Sequence, residues 1–445
     1  MLPCLFNALY IFALLLLSPW LIYRALRTGR YRRGLWAKLR GVSIAKPQAA
    51  KKRVWFHGVS VGEIHLLRQV ITAFRKRFPN HECVVSSTTD TGLDEATRCF
   101  PDLTVIPFPF DFSWAVRRTL RAIDPALIVL AEGELWPNFL LAAKRAGVPV
   151  AVVNARMSPR SFGRYRKLGF LSRWLLRRLD LIAAQTEEYA ANFRALGAEP
   201  QCVHVTGSVK FDGAKGDRHN PQSAALRRLF GITDDDLVWI AGSTQAPEEE
   251  IVLHIFHRLR DEFPRLRLFV VPRQKDRFDE VAQLLEMSRE PFVRRSAIAA
   301  CGLATVAKPQ AANVIVLVDT IGELGALWGL ADVAFVGGSL DGRRGGQNMI
   351  EAAAYGAAVL FGPHVWNFRD PATRLVECGG AVKVADEAQL ESAVRSLLAG
   401  RERRHAMGIA ARAYVVAQQG ATERTLDLLG ALLEKKRPTK QPLAA

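Results

Sequence analysis

The chain has 445 residues, 49% hydrophobic and 23% charged, which is enough for two ordinary domains and argues against disorder. Six scattered cysteines without a CxxC pair exclude a disulfide framework and read as reduced thiols. The net charge of +18 is uneven: residues 1–220 hold 33 Lys and Arg against 16 Asp and Glu, the remainder 28 against 27. A strongly basic half calls for an acidic partner: nucleic acid, an anionic membrane or a phosphorylated substrate.

The first predicted element narrows that choice. Residues 2–23, LPCLFNALYIFALLLLSPWLIY, carry no charge, and 22 residues are long enough for a bilayer-spanning helix. A cleaved signal peptide fits poorly, because no basic residue precedes the run and no A-x-A site follows it. Arg24, Arg27, Arg30, Arg32, Arg33, Lys38 and Arg40 come next, before any acidic residue. The positive-inside rule then predicts one N-terminal anchor with everything after residue 24 cytoplasmic. The same cations suit anionic lipid.

Short apolar runs follow at 54–59, 83–88, 104–108, 127–131, 148–154, 181–184 and 203–207, with helical patterns such as 64–77, 113–122 and 137–146 between them. This is the rhythm of a parallel sheet covered by helices. Residues 208–222 break it with Gly, Pro, Asn and charges, and a second series follows at 237–243, 266–272, 313–319, 333–338, 357–362 and 381–385. The expected fold is therefore α/β of GT-B type: two doubly wound Rossmann-like domains facing a cleft, preceded by the anchor helix. The expected boundaries are 24–212 and 223–432, with 213–222 as linker and 433–445 as a frayed tail.

Several chemistries find no support. GxGxxG, GxxxxGK[ST] and HExxH are absent. His254 and His257 lack further ligands, and Asp234-Asp235-Asp236 precedes a strand, at the wrong end of a sheet for a metal-binding DxD, so it serves a turn or a helix end. No essential metal or cofactor is expected.

Other stretches do point to a site. HGVSVGE (57–63) delivers Glu63 just past a strand's carboxyl end, where open α/β sheets place their ligands. LAEGELWPN (130–138) brings Glu132 and Glu134 to another strand end, where an ionised group near a core needs a partner such as Lys210 of GSVKFD. FVGGSLDGRRGGQNMIE (335–351) reads as strand, glycine-rich loop and helix start, suited to a phosphate, with Glu351 within reach of a ribose. The simpler account of that stretch is a turn with an Asn-x-x-Glu cap. Pro272-Arg273 and Ile321-Gly322-Glu323 end strands on the same predicted edge. Residues 156–178 carry eight basic residues and no acid, interleaved with aromatics. Beside an anchor, this reads as a surface for anionic lipid more economically than for nucleic acid.

HGVSVGE, AEGELWPN, NARMS, GSVKFD, VPRQ, DTIGEL, FVGGSLDGRRGGQN-x-x-E and GPHVWNF stand in an order and spacing that resemble the 3-deoxy-D-manno-octulosonic acid (Kdo) transferases of lipopolysaccharide assembly. The resemblance covers nearly the whole chain. It implies a glycosyltransferase moving Kdo from CMP-Kdo to the lipid A precursor at the inner membrane. Glu63 matches the general base, and Glu132 and Lys210 match residues that assist the transition state. Pro272, Arg273, Ile321, Gly322, Glu323, Asn348, Met349, Ile350 and Glu351 match the CMP-binding segments. Arg156, Arg160, Arg164, Arg166, Lys167 and Arg173 form the expected acceptor and membrane patch. The chain departs from the family pattern at Gln347 and Gln274, where histidines are usual, and at Met349 and Gly133. The competing readings are a UDP-sugar transferase of the same fold and a non-catalytic module that binds anionic lipid.

Overall fold

The computed structural model describes residues 2–28, 34–44, 51–300 and 314–435. Arg30, Arg32, Arg33 and residues 436–445 of the expected tail lie outside the described residues.

The chain divides into two compact units, residues 1–213 with 419–445, and residues 214–418. The first is built on strands β1 (Lys52–His57), β2 (His81–Ser87), β3 (Thr104–Pro107), β4 (Pro125–Ala131), β5 (Val150–Ala155), β6 (Leu181–Ala184) and β7 (Val203–Val205). They pair in the order β3-β2-β1-β4-β5-β6-β7, all parallel. The second unit has β8 (Leu237–Thr244), β9 (Leu266–Pro272), β10 (Phe292–Arg294), β11 (Ile315–Leu317), β12 (Val333–Val336), β13 (Ala358–Phe361) and β14 (Ala381–Lys383). Their order is β10-β11-β9-β8-β12-β13-β14, again all parallel.

Parallel strands buried on both faces need near-continuous apolar runs, and β4, PALIVLA, is buried at every residue. Alternate residues of β1 serve opposite layers. Trp55 packs with Phe108 and Phe139 on one side, Val54 and Phe56 with the helix Val61–Arg77 on the other. In each unit the strand order reverses once, between β1 and β4 and between β8 and β12. The crevice at such a reversal is where open sheets bind ligands.

Four sequence expectations change. β10 was not expected; a three-residue edge strand is too short to show a period. Residues 213–222 are no free linker. Arg218 donates to the carbonyls of Tyr355 (2.7 Å), Ala331 (2.7 Å) and Gly356 (3.2 Å), which ties the stretch into the second unit. That unit ends at Gln418, short of residue 432. The helix Ala421–Glu434 belongs to the first unit, burying Leu426 and Leu429 in the core shared with Val61–Arg77. Asp212 accepts from the N–H groups of Gly420 (2.6 Å) and Thr422 (2.5 Å) and so caps that helix.

The fourth change concerns the anchor. Residues 2–23 fall within a helix, Leu2–Thr28. Among the described residues, however, no helix is long and apolar enough to cross a membrane. Its first turns dock sideways on the first unit. Asn7 Nδ2 donates to Ser113 Oγ (2.8 Å), and Tyr10 Oη donates to Asp111 (2.9 Å). Phe6 meets Trp174 at 5.9 Å between ring centroids. The polar side chains Asn7 and Tyr10 inside this apolar run are thus its fastenings to the protein.

Candidate active site

In the first unit the helix after β1 starts at Ser60, whose side chain accepts from Glu63 N. Glu63 folds back, and its two oxygens accept from Val59 N (2.9 Å) and Ser60 Oγ (3.1 Å). This is a variant of the capping box, with Val59 N in place of the N-cap N–H, so the carboxylate has a local structural role. Gly58 gives it room: a Cβ there would stand 3.2 Å from Glu63 Cβ and 3.1 Å from Leu67 Cδ1, a tight fit that the neighbours would have to ease.

Burial pushes the Glu63 pKa up, opposed by its hydrogen bonds, and the charges of Glu132 and Glu134 add to the rise. Those two follow β4, across the strand reversal. Glu132 has φ +57° and Gly133 φ +128°, a turn that throws both carboxylates off the strand end. A left-handed conformation at glutamate is strained and persists only where its surroundings hold it. Lys210 Nζ does so at 3.5 Å from Glu132 Oε1, and Asn154 Nδ2 donates to the same oxygen at 3.3 Å. Burial also raises Glu134, whose carboxylate accepts from Trp136 Nε1 (2.9 Å).

Glu63, Glu132 and Lys210 are thus brought together, as expected. Asn154 was missed as a site residue. It too is left-handed, at φ +53°, and its Oδ1 accepts from Val209 N (3.1 Å), joining β5 to the turn that carries Lys210. A polar Asn closing an apolar strand, VPVAVVN, was the available signal.

The second unit departs further from expectation. The N–H groups of Gly338 (2.6 Å), Ser339 (2.9 Å) and Leu340 (3.1 Å), just past β12, point at the buried carboxylate of Glu248. Gln245 N (3.0 Å) completes its shell. The first part of the glycine-rich loop is therefore filled by the protein's own carboxylate and not left for a phosphate. Glu248 was missed because it is one of three consecutive glutamates at a helix start, a place where acids are favoured by the helix dipole whatever else they do.

Beyond that loop, Asn348 Oδ1 accepts from Ile350 N (3.1 Å) and its Nδ2 donates to Glu351 Oε1 (2.9 Å). Burial raises the Glu351 pKa, while its bond to Asn348 and the charge of Arg273 oppose the rise. Arg273 follows β9 and is exposed, and its charge reaches Glu351, which Asn348 holds. The helix expected from Asn348 is only Ile350–Ala354, too short for a substantial dipole.

Met349, Ile350 and Pro272 are buried, so their side chains serve the core and offer a ligand nothing but backbone. Ile321 is 73% exposed, and Gly322 beside it has φ +94°. Glu323 is paired with Arg295 (2.8 Å) and accepts from Thr320 Oγ1. At the strand reversal itself, Thr244 Oγ1 and Gln245 Oε1 are buried with no hydrogen-bond partner among the described residues.

The basic stretch forms the helices Pro159–Lys167 and Phe170–Leu176. Arg156, Arg160, Arg164, Arg166, Lys167 and Arg173 are all exposed, and Phe170 is 80% exposed among them. Asp236 takes the turn role expected of its triplet, accepting from Thr233 N (2.8 Å) and Oγ1 (3.1 Å). His257 pairs with Glu290 (2.7 Å) and His254 lies 3.9 Å from Glu387.

A family model described as 3-deoxy-D-manno-octulosonic-acid transferase (kdotransferase) matches residues 28–213. The 3-deoxy-D-manno-octulosonic acid transferase of Bordetella pertussis is 36% identical over 441 residues, 95% of this chain and 98% of that one. That of Haemophilus influenzae is 33% identical over 384 residues, 86% of this chain and 87% of that one. Two solved structures share the fold at low identity. S. aureus MnaA with UDP has a TM-score of 0.54 at 16% identity, covering 88% of this chain and 100% of its own. A UDP-GlcNAc 2-epimerase from Neisseria meningitidis has 0.52 at 13%, covering 85% and 100%.

Proposed function

The chain belongs to the 3-deoxy-D-manno-octulosonic acid transferases, a family of glycosyltransferases, and on that premise we propose that it moves Kdo from CMP-Kdo to a hydroxyl of the lipid A precursor by one inverting displacement. The acceptor's C–O bond to the anomeric carbon forms as the bond to the CMP phosphate breaks. The hydroxyl proton goes to Glu63, and the electron pair of the broken bond leaves with CMP. A sugar hydroxyl is too weak an acid to ionise at neutral pH, so a positioned base contributes about 10²–10⁴-fold. The observation that carries this reading is the cluster at the β1/β4 reversal, where burial and two neighbouring glutamates raise the Glu63 pKa.

Glu132, held by Lys210 and Asn154, stands ready to stabilise the oxocarbenium-like centre. In the second unit Arg273 and Asn348 are assigned to the phosphate and Glu351 to the ribose. No metal or other cofactor is required by these assignments.

The exposed arginines of 156–173 are assigned to the acceptor's phosphates and to anionic lipid, with charge-assisted pairing as the driving term. Exposed Phe12, Leu15, Leu16 and Trp20 of the first helix and Phe170 supply apolar area for lying in a membrane surface on its cytoplasmic side.

The test is transfer from CMP-Kdo, generated in situ, to a tetra-acylated lipid A precursor in the presence of wild type or Glu63→Gln. A heavier lipid with CMP release in wild type, lost in the variant, supports donor, acceptor and base together. Inhibition by UDP and not CMP would replace the donor assignment.

A further inference from the structure

Away from the carboxylate cluster, three side chains with metal-binding chemistry converge on one face of the first unit. His65 lies on the helix Val61–Arg77. Glu95 and Cys99 lie one turn apart on the helix Asp90–Cys99, so both face the same way. His65 Nε2 is 3.2 Å from Glu95 Oε1, and Cys99 Sγ donates to that same oxygen at 3.2 Å. All three ligand atoms fall within 4.8 Å of one another. Tetrahedral zinc, with bonds of about 2.0–2.3 Å, holds its ligands roughly 3.3–3.8 Å apart. The present spacing therefore needs only small side-chain rotations.

The set is specific in kind. A thiol, an imidazole and one carboxylate suit a borderline-soft cation, whereas Ca²⁺ and Mg²⁺ take shells of oxygen. The carboxylate already has outer support, since Arg98 Nε donates to its far oxygen Oε2 at 3.1 Å. Arg98 Nη2 also approaches Oε1 (2.6 Å) and has to swing away. Arg98 is 70% exposed, so that half of the pair contributes little.

We propose that His65, Glu95 and Cys99 form a binding site for a divalent cation of the zinc class, with water as the fourth ligand. Binding forms one Cys99 Sγ–metal bond and releases the thiol proton to solvent, with no change of oxidation state. The cation bridges two helices, one of which carries Glu63 in its first turn. Its role is to hold those helices together, and no transfer step runs through it. Sequence spacing could not reveal the set, because His65 and Glu95 are brought together only by the packing of the two helices.

The test is a Co²⁺ titration of the full-length chain in a thiol-free reductant, read in the near-ultraviolet and visible, with Zn²⁺ as displacing ion. Wild type is expected to show a thiolate-to-cobalt charge-transfer band at one equivalent, with visible bands of tetrahedral intensity, abolished by Zn²⁺. Cys99→Ser should lose the charge-transfer band, and His65→Ala should weaken binding beyond the ~10–100-fold expected for an outer-shell loss. Circular dichroism of the two variants shows that the fold remains. No band in wild type, or a band that persists in Cys99→Ser, overturns the assignment. The latter outcome would move the thiolate to another cysteine, such as exposed Cys4 or Cys378.

Discussion

Glu248→Gln is the sharpest available perturbation of the second unit. Glu248 Oε2 accepts from Gly338 N and Gln245 N, and Oε1 accepts from Ser339 N and Leu340 N. Glutamine keeps one oxygen with two of these donors and turns an NH2 toward the other two. Hydrogen bonds to a charged group are worth about 1.5–3 kcal/mol each, and a buried donor left unpaired costs about 1–3 kcal/mol. Two lost bonds that share one loop do not add fully, so the expected loss is roughly 2–4 kcal/mol. Urea unfolding followed through buried Trp239 and Trp328 reads it, as a midpoint lower by about 1 M for a slope of ~2–3 kcal/mol/M. Because the loop leads directly to Asn348 and Glu351, KM for the CMP-sugar donor should rise more than kcat falls. Glu250→Gln, at an exposed position on the same helix start, is the control and should change neither. If Glu248→Gln unfolds at the wild-type urea concentration with an unchanged donor KM, the carboxylate does not organise this loop.

Other outcomes follow from the same geometry. As the proposed base Glu63 must be ionised, and its pKa lies above the ordinary glutamate value, so kcat/KM should fall as pH drops through that raised value. Replacing Glu134 by Gln removes one repelling charge and should shift the acidic limb of the pH–rate profile to lower pH; a limb that does not move refutes the coupling. Asn154→Ala removes the donor to Glu132 and the acceptor for Val209 N, and should lower kcat with little change in donor KM, measured by CMP release. Asp212→Ala deletes the cap of the last helix, at a cost of about 1–2 kcal/mol, and should speed amide exchange across Ala421–Glu434 before the rest of the unit.

Most of the framework was legible because a parallel sheet buried on both faces leaves a strong mark. Thirteen of the fourteen strands coincide with apolar runs read in the chain, and only the edge strand Phe292–Arg294 was too short to register. Glu63, Glu132 and Lys210 were legible because charged residues at the ends of apolar runs need an explanation other than packing. Less visible was whatever depends on partners distant in sequence. Glu248 looks like one acid among three until the loop 90 residues later is seen to wrap it. Asn7 and Tyr10 look like blemishes in an apolar run until Ser113 and Asp111 are found opposite them. Met349 and Ile350 followed a motif, but their side chains had already been taken by the core.

The return of Ala421–Glu434 to the first unit has a consequence for how the protein is made. During synthesis, residues 1–213 emerge long before the helix that covers Val61–Arg77 exists. Until Leu426 and Leu429 are translated, the apolar face they cover stays open to solvent through the whole production of the second unit. Domains usually complete themselves in order as they leave the ribosome. Here the earliest-made half is finished last, and a chain cut anywhere after residue 213 but before 421 would release a first unit with an exposed apolar strip and a strong tendency to aggregate.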